Sequence, residues 1–438
     1  MSTTMNRRSI VKAATGLAAV GMPRWFVEDA VFAQDVKLRS ANDTLAIALI
    51  GCGGRGTGDA RQAAKHGKIV ALCDVDDEQL GRAKLAWPDA TAYKDFRKLL
   101  ERKDIDVIVN GTPDHWHTLV NMAAMKSGRD VYSEKPLTLT IDEGKRLVQV
   151  ARATNRILQT GSQQRSDANF RLACELVVNG RIGQLQHVDV WLPHGRREGP
   201  FKPSVTPGNL DWEMWQGQTP KVDYVKERTH VTFRYWWEYS GGTMTDWGAH
   251  HLDIALWGTG YERSGPVSVE AKPLVKMIPG GFTAHSEYEV HYTYANGVTQ
   301  TCMSTTANAW NGSVLKPDGQ QHGVRFNGSG GWIFVTRGKI EASDPSLLST
   351  PLPSSAQRLV ASDDHMQNFF DCVRSRKSPI CDAQIGHRSV SVCHLGVIAL
   401  RLGRKLAWDP AKEEFVNDPE SNQWLSREMR APWTYDLT

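Results

Sequence analysis

Between residues 44 and 160 the chain alternates short, unbroken apolar runs with longer amphipathic stretches. Leu45-Ala-Ile-Ala-Leu-Ile50, Lys68-Ile-Val-Ala-Leu-Cys73, Ile105-Asp-Val-Ile-Val-Asn110, Asp130-Val-Tyr-Ser133 and Ile157–Gly161 read as strands, with a shorter one at Thr91–Tyr93. Continuous apolar runs are what strands buried on both faces require. Helical spacing fills the gaps: Asp77–Trp87, Asp95–Arg102, a stretch ending at Lys126, and Ile141–Thr154, which the cap Thr140 opens with Asp142 and Glu143 in the first turn. Strands alternating with helices predict a parallel, doubly wound sheet with ligands beyond the carboxyl ends of its strands.

The second half changes rhythm. Leu185–Leu192, Val267–Val275, Ser286–Tyr294, Val298–Ser304, Val324–Phe326 and Trp332–Thr336 read as strands, and Asn327–Gly331 supplies a tight turn between the last two. Long strands in succession predict a large, mainly antiparallel open sheet. Asn169–Val178, His365–Arg376 and Ser389–Leu402 read as helices. Pro193–Gly217, rich in Gly, Pro, Arg and Trp, and the Ser/Pro-rich Glu341–Leu359 read as irregular. With 438 residues the chain is long enough for two domains.

The first turn carries chemistry. Gly51-Cys-Gly53-Gly54-Arg55-Gly56 closes the first strand and opens a helix, and Asp74 ends the second strand eighteen residues after Gly56. In that context the spacing predicts a dinucleotide-binding Rossmann fold. Gly51 makes the tight turn, Gly53 lets the backbone approach a pyrophosphate, Gly56 lets helix and strand pack, and the helix N-terminus faces the phosphates. Asp74 accepts from the adenosine ribose with Asp76 beside it, and two carboxylates there repel a 2′-phosphate, which favours NAD over NADP. Arg55 in the same turn keeps NADP open as the alternative. Thr112-Pro113-Asp114-His115-Trp116-His117 and Glu134-Lys135-Pro136 stand at two further strand ends.

A second stretch, Ser240–Asp253, pairs two glycines with an apolar helix. At about 100° per residue Asp246, His250 and Asp253 share one face within roughly 60°, and His251 points away. A carboxylate four residues before a histidine is the pattern of a general base and its orienting group. A buried ion pair closing a helix start fits the same residues. The aromatic run Phe233–Tyr239 just ahead suits either stacking on sugar rings or core packing.

Apolar residues make up 40% and charged residues 23%, the balance of a globular chain. Half of the formal charge of +4 falls in residues 1–33, where Arg7, Arg8, Lys12 and Arg24 face Glu28 and Asp29. Nothing in the remainder points to a nucleic-acid or membrane surface. Seven cysteines, an odd number without a C-x-x-C, argue against a disulfide framework or a thiolate zinc site. His115 and His117 form an H-x-H pair with no cysteine near in sequence, and no metal is expected. Arg7-Arg8, the apolar run Ala13–Val20 and the small residues Ala30–Ala33 resemble a twin-arginine export signal cleaved after Ala33, which implies a periplasmic or otherwise exported protein.

Thr-Pro-x-x-x-His at Thr112–His117, Glu-Lys-Pro at Glu134–Pro136 and Asp-x-x-x-His at Asp246–His250 resemble, in order, the motifs of the Gfo/Idh/MocA family of sugar and cyclitol oxidoreductases. The segment Asp371–Asp409 is similar to an exported, planctomycete-type subgroup. The resemblance implies a Rossmann domain over 44–162 and an α+β substrate-binding domain over 163–438, with homo-oligomers formed through the second sheet. It implies catalytic roles for Lys135, Asp246 and His250, with Pro136 in cis. It places Thr112, Pro113, His117, Glu134 and Gln163 at the cofactor beside the glycine turn. Arg165, Tyr235, Trp236, His251 and Asp253 are the candidate substrate contacts. The implied function is hydride transfer between NAD and a hydroxyl of a sugar, glycoside or cyclitol, with the cofactor retained. The alternatives are a redox-neutral NAD-dependent glycosidase or lyase working through a transient keto-sugar, and a non-catalytic carbohydrate sensor.

Overall fold

The computed structural model describes residues 44–304, 309–310, 313–314 and 322–436; the export signal read at 1–33 lies outside them. The apolar runs of the first third become six parallel strands: β1 (Leu45–Ile50), β2 (Gly67–Cys73), β3 (Thr91–Tyr93), β4 (Val107–Asn110), β5 (Asp130–Ser133) and β6 (Leu158–Thr160). Their spatial order is β3-β2-β1-β4-β5-β6, the doubly wound arrangement that opens a ligand crevice where β1 meets β4. Helices α1 (Gly54–Ala63), α2 (Asp77–Ala86), α3 (Phe96–Leu100), α4 (Asp114–Lys126) and α5 (Ile141–Thr154) return the chain. Side chains of Asp76, Asp95 and Thr140 accept from backbone N–H groups of Glu78, Arg97 and Glu143, which fixes where α2, α3 and α5 begin.

Beyond β6 lie α6 (Ala168–Val178), β7 (Leu185–Leu192), α7 (Trp212–Gln216), α8 (Thr243–Asp246), α9 (Gly248–Thr259), β8 (Ser268–Pro273), β9 (Tyr288–Thr293) and β10 (Thr299–Ser304). A small hairpin, β11 (Ala309–Trp310) with β12 (Ser313–Val314), stands apart. Then come β13 (Gly323–Gly328), β14 (Gly331–Thr336), β15 (Lys339–Ala342), α10 (Ser346–Ser349), α11 (His365–Ser375), α12 (Ala383–Leu402), β16 (Leu406–Asp409), β17 (Glu414–Phe415) and α13 (Pro419–Asn422). Nine of these strands form one sheet, β15-β14-β13-β7-β10-β9-β8-β16-β17, antiparallel throughout except where β7 meets β10. β15, β16 and β17 were not anticipated, because two to four residues are too few for a period-two pattern to register. α12 starts at Ala383, six residues ahead of the expected Ser389, because Asp382 caps it through the Ile385 N–H.

α9 and α12 bury one face of the sheet: Leu252, Ile254 and Leu256 share a core with Val188, Val190, Val290, Tyr292, Val392 and Ile398. α11 crosses back, and Met366, Phe369, Phe370 and Val373 pack on Ile47, Leu49, Val107 and Val109 of the first sheet. The irregular segment ahead of α8 forms an aromatic cluster of its own from Trp212, Trp215, Tyr224, Phe233, Trp236, Tyr239 and Phe282. It reaches the first sheet as a strap. The Asn209 carbonyl accepts from Asp77 N at 2.8 Å, Asp211 N donates to the Val75 carbonyl at 3.0 Å, and the Trp215 carbonyl accepts from Trp116 Nε1 at 2.9 Å.

The end of β6 and α9 are joined by a fully buried ion pair. Arg165 donates from Nε and Nη2 to the two Asp253 oxygens at 2.7 and 2.8 Å and from Nη1 to Glu262 at 2.6 Å, and Ser389 Oγ donates to Asp253 at 2.5 Å. Removing one partner of such a pair leaves an uncompensated buried charge. Asp253→Ala therefore lowers the free energy of unfolding by about 3–5 kcal/mol, read as a fall in the denaturant midpoint at unchanged slope; an unshifted midpoint contradicts the assignment.

Candidate active site

A cleft of about 710 Å³ opens beyond the carboxyl ends of β1, β2, β4 and β5, and the strap and the start of α9 close its other side. Gly51, Gly53, Gly54, Arg55, Asp74, Thr112, Pro113, His117, Glu134, Lys135, Gln163 and His250 all face it. The two halves of the chain thus meet at one cavity.

The glycine turn fits a dinucleotide. A Cβ on Gly51 would fall 2.5 Å from the Gly111 carbonyl carbon, and one on Gly56 2.0 Å from the Gly51 oxygen, so both are required for packing. A Cβ on Gly53 or Gly54 would meet no protein atom and would project into the space a pyrophosphate needs. The N-terminus of α1 has no side-chain cap, which leaves its N–H groups for an anion. At the end of β2, Asp74 accepts from Cys52 N at 2.6 Å and from Asp76 N at 2.9 Å. Burial pushes its carboxyl up to about 6 against the pull of those two N–H groups. Asp76 is occupied elsewhere: it accepts from Glu78 N and Asn209 Nδ2, and His230 Nε2 lies 3.1 Å from it. Arg55 turns to Glu134 at 3.0 Å and Asp59 at 2.8 Å. Its charge is thus spent on carboxylates within the fold.

At the other end of the cleft, Lys135 Nζ donates to Asp246 twice, to Oδ1 at 2.5 Å and to the carbonyl at 3.0 Å. Arg234 Nε stands 3.3 Å from Asp246 Oδ2. Burial works against the Asp246 carboxylate, but Lys135 and Arg234 outweigh it and hold its pKa below the usual range. The Lys135–Pro136 peptide is cis. His117 braces this turn, with Nδ1 2.7 Å from the Pro136 carbonyl and Nε2 2.8 Å from that of Thr112. His115 is a packing residue against the Trp215 carbonyl. Gln163 donates to Tyr132 and Glu134, both at 2.9 Å.

Asp246 does not orient His250. The expected shared face assumed one unbroken helix, whereas α8 ends at Asp246 and α9 begins at Gly248 after the turn at Trp247. Asp246 swings to Lys135, and His250 Nδ1 is left buried without a partner among the described residues. Burial, then the Lys135 and Arg337 charges, push the His250 pKa well below 6.5, so the ring is neutral at physiological pH.

The five expected substrate contacts lie outside the cleft. Arg165 and Asp253 satisfy each other in the core. Trp236 is buried under Arg228 with Nε1 donating to the Glu227 carbonyl, and Tyr235 packs on Phe282. His251 is buried against His322, with Nε2 and Nδ1 3.0 Å apart. Gln164, Arg234 and Arg337 are among the residues that line the cleft instead. Gln164 is 4% exposed, and neither end of its amide has a partner among the described residues, a free donor and acceptor for a ligand. Gln164 follows the expected Gln163 directly at the end of β6, whereas Arg337 arrives from the β14–β15 turn, which no local pattern announces.

Residues 45–162 match the family model described as "Oxidoreductase family, NAD-binding Rossmann fold", and residues 189–435 match "Oxidoreductase family, C-terminal alpha/beta domain". The chain belongs to the Gfo/Idh/MocA oxidoreductase family. Its first domain binds NAD. Among curated relatives, a glycosyl hydrolase family 109 protein of Solibacter usitatus is 32% identical over 188 residues, 40% of this chain and 42% of the relative. Myo-inositol 2-dehydrogenase of Thermotoga maritima is 27% identical over 218 residues, 49% and 55% of the two chains. The chain thus spans about half the length of these relatives. The WlbA dehydrogenase of Bordetella pertussis, solved with NADH and UDP-GlcNAcA, superposes with a TM-score of 0.63 at 20% identity over 84% of this chain and 99% of that one, a likeness of fold.

The Asp74 geometry makes cofactor affinity depend on pH. With its carboxyl near 6, about nine-tenths of it is ionised at pH 7 and about one-tenth at pH 5. NAD binding to cofactor-stripped protein, measured calorimetrically, weakens roughly tenfold between those values. Asp74→Asn flattens the profile; an equally steep profile in that variant contradicts the role.

Proposed function

We propose that the protein transfers hydride between a hydroxyl-bearing carbon of a sugar, glycoside or cyclitol and NAD held in the cleft. The observation that carries this is the convergence of Lys135 and His250, from opposite halves of the chain, on the cavity of the glycine turn. NAD supplies the hydride acceptor. The Lys135 ammonium, fixed by two bonds to Asp246, donates to the substrate oxygen and favours its ionised form. His250, neutral because burial and neighbouring cations depress its pKa, accepts the hydroxyl proton. Asp246 is a positioning residue: it sets the ammonium and, through Arg234, ties the strap to the same point.

The strap supports retention of the cofactor. His230, Val231, Phe233, Met214 and Trp215 line the cleft, and the segment is tied to Val75, Asp76 and Asp77 beside the ribose carboxylate. Export of the folded, loaded protein, as expected from Arg7-Arg8, fits a cofactor regenerated within one catalytic cycle. The likeness to a glycosyl hydrolase family 109 protein favours one second reading, in which oxidation is transient and the sugar is cleaved before it is reduced again.

Protein purified without added cofactor carries near-stoichiometric NAD, read by absorbance and by enzymatic assay of a denatured extract; empty protein with weak affinity removes the retention reading. His250→Ala and Lys135→Met each lower kcat by about 10² or more while NAD stays bound, and unchanged turnover in either refutes the mechanism. NMR of products from a glycoside panel separates net oxidation from redox-neutral cleavage.

A further inference from the structure

Among the described residues, the carboxylates at the substrate end of the cleft are already engaged. Asp246 holds Lys135 and Arg234. Glu134 holds Arg55 and Gln163. Asp114 accepts from Ser240 Oγ at 2.5 Å, and Asp167 caps α6 through Asn169 N and Phe170 N. One cation lining the same cleft has no such partner. Arg337 projects from the turn between β14 and β15, its guanidinium 4.9 Å from the centre of the Trp247 ring that packs beside His250. Among the described residues no carboxylate lies within ion-pair distance of it. Arg337 is exposed at the rim of the cleft, so its guanidinium is solvated and open to an incoming anion. Arg234 adds a second open donor: Nε faces Asp246 and Nη1 donates to the Val231 carbonyl, while Nη2 has no hydrogen-bond partner among the described residues.

A guanidinium offered to a cavity beside a proton acceptor is shaped for a planar anion, which it grips through two parallel N–H bonds. We propose that the substrate is a sugar acid whose carboxylate is bound by Arg337 and the free Nη2 of Arg234, with the reacting hydroxyl at Lys135 and His250. This deepens the oxidoreductase reading above and rests on it. A sugar acid gains a charge-assisted bond at Arg337 that a neutral sugar lacks, so the subsite selects for charge as well as shape.

The test uses the full NAD-loaded protein and matched probes that differ only at C6: D-glucuronate against D-glucose, D-galacturonate against D-galactose, and N-acetylglucosaminuronate against N-acetylglucosamine. Binding is followed by calorimetry and hydride transfer by absorbance. At least one acid binds tenfold or more tighter than its neutral partner. Arg337→Gln brings that ratio close to one without changing the melting temperature, and Arg337→Lys restores part of it. Equal or better binding of the neutral sugars, an acid preference untouched by Arg337→Gln, or no binding of any probe overturns the proposal. So does a variant whose loss lies in NAD affinity alone, which would assign Arg337 to the cofactor's phosphates. Hydride transfer from neutral sugars with no acid preference sinks this inference and spares the oxidoreductase reading; acid-selective binding through Arg337 without hydride transfer does the reverse.

Discussion

One buried contact, the Lys135 ammonium against the carboxylate and carbonyl of Asp246, joins the two halves of this protein at the place where chemistry must occur. Neither charge is free to exist alone there: the side chains are 12% and 17% exposed, and an unpaired ion at such a depth is expensive. The pair therefore constrains how the end of β5 and the start of α9 approach each other, and with them the width of the cleft. The bidentate pair of Arg165 and Asp253, deeper in the core, fixes the same helix from its other side. Two ion pairs thus set the position of α9 against the first sheet, one in the cleft wall and one behind it.

This arrangement changes what the histidine is for. A carboxylate bonded to the His250 ring would have raised its pKa and kept a proton on it near neutrality. Spending Asp246 on Lys135 does the opposite. His250 faces cations and apolar packing, its pKa falls, and the ring stays able to accept a proton. Lys135 presents N–H donors to the cavity, and the neutral imidazole presents an open ring nitrogen. A donor and an acceptor on one cavity are what proton removal from a hydroxyl needs.

Much of the fold was legible because its signals are local. The six apolar runs, the spacing of Gly51, Gly53, Gly56 and Asp74, and the strand-end position of Lys135 all lie within short windows, and the structure arranges them as that spacing requires. The misassigned residues share a different cause. Asp246 was placed on His250 by a helical wheel that ran through Trp247, where the helix breaks. Tyr235 and Trp236 have the composition of a sugar platform, but neighbours distant in sequence, Phe201 and Phe282, gather them into a core. Arg165 and Asp253 are both charged and both near the site, and only their mutual distance shows that they neutralise each other. Gln164 and Arg337 gained their place from what surrounds them, a property no periodicity encodes.

The strap explains why so many tryptophans stand between β7 and α9. Its backbone crosses from the second sheet to the β2–α2 turn, and a crossing segment with only short helical turns needs its own core to hold a shape. Trp212, Trp215, Tyr224, Phe233 and Trp236 provide one, with Trp215 offering its carbonyl to both His115 and Trp116 on α4. Packing on the first domain as well as on the second makes the strap a wall of the nucleotide cleft. The same segment then delivers Arg234 to Asp246, so the wall over the cofactor and the charge network at the reacting end belong to one stretch of chain. An aromatic cluster that looked like a carbohydrate surface is therefore the support that keeps the cofactor side and the substrate side in register.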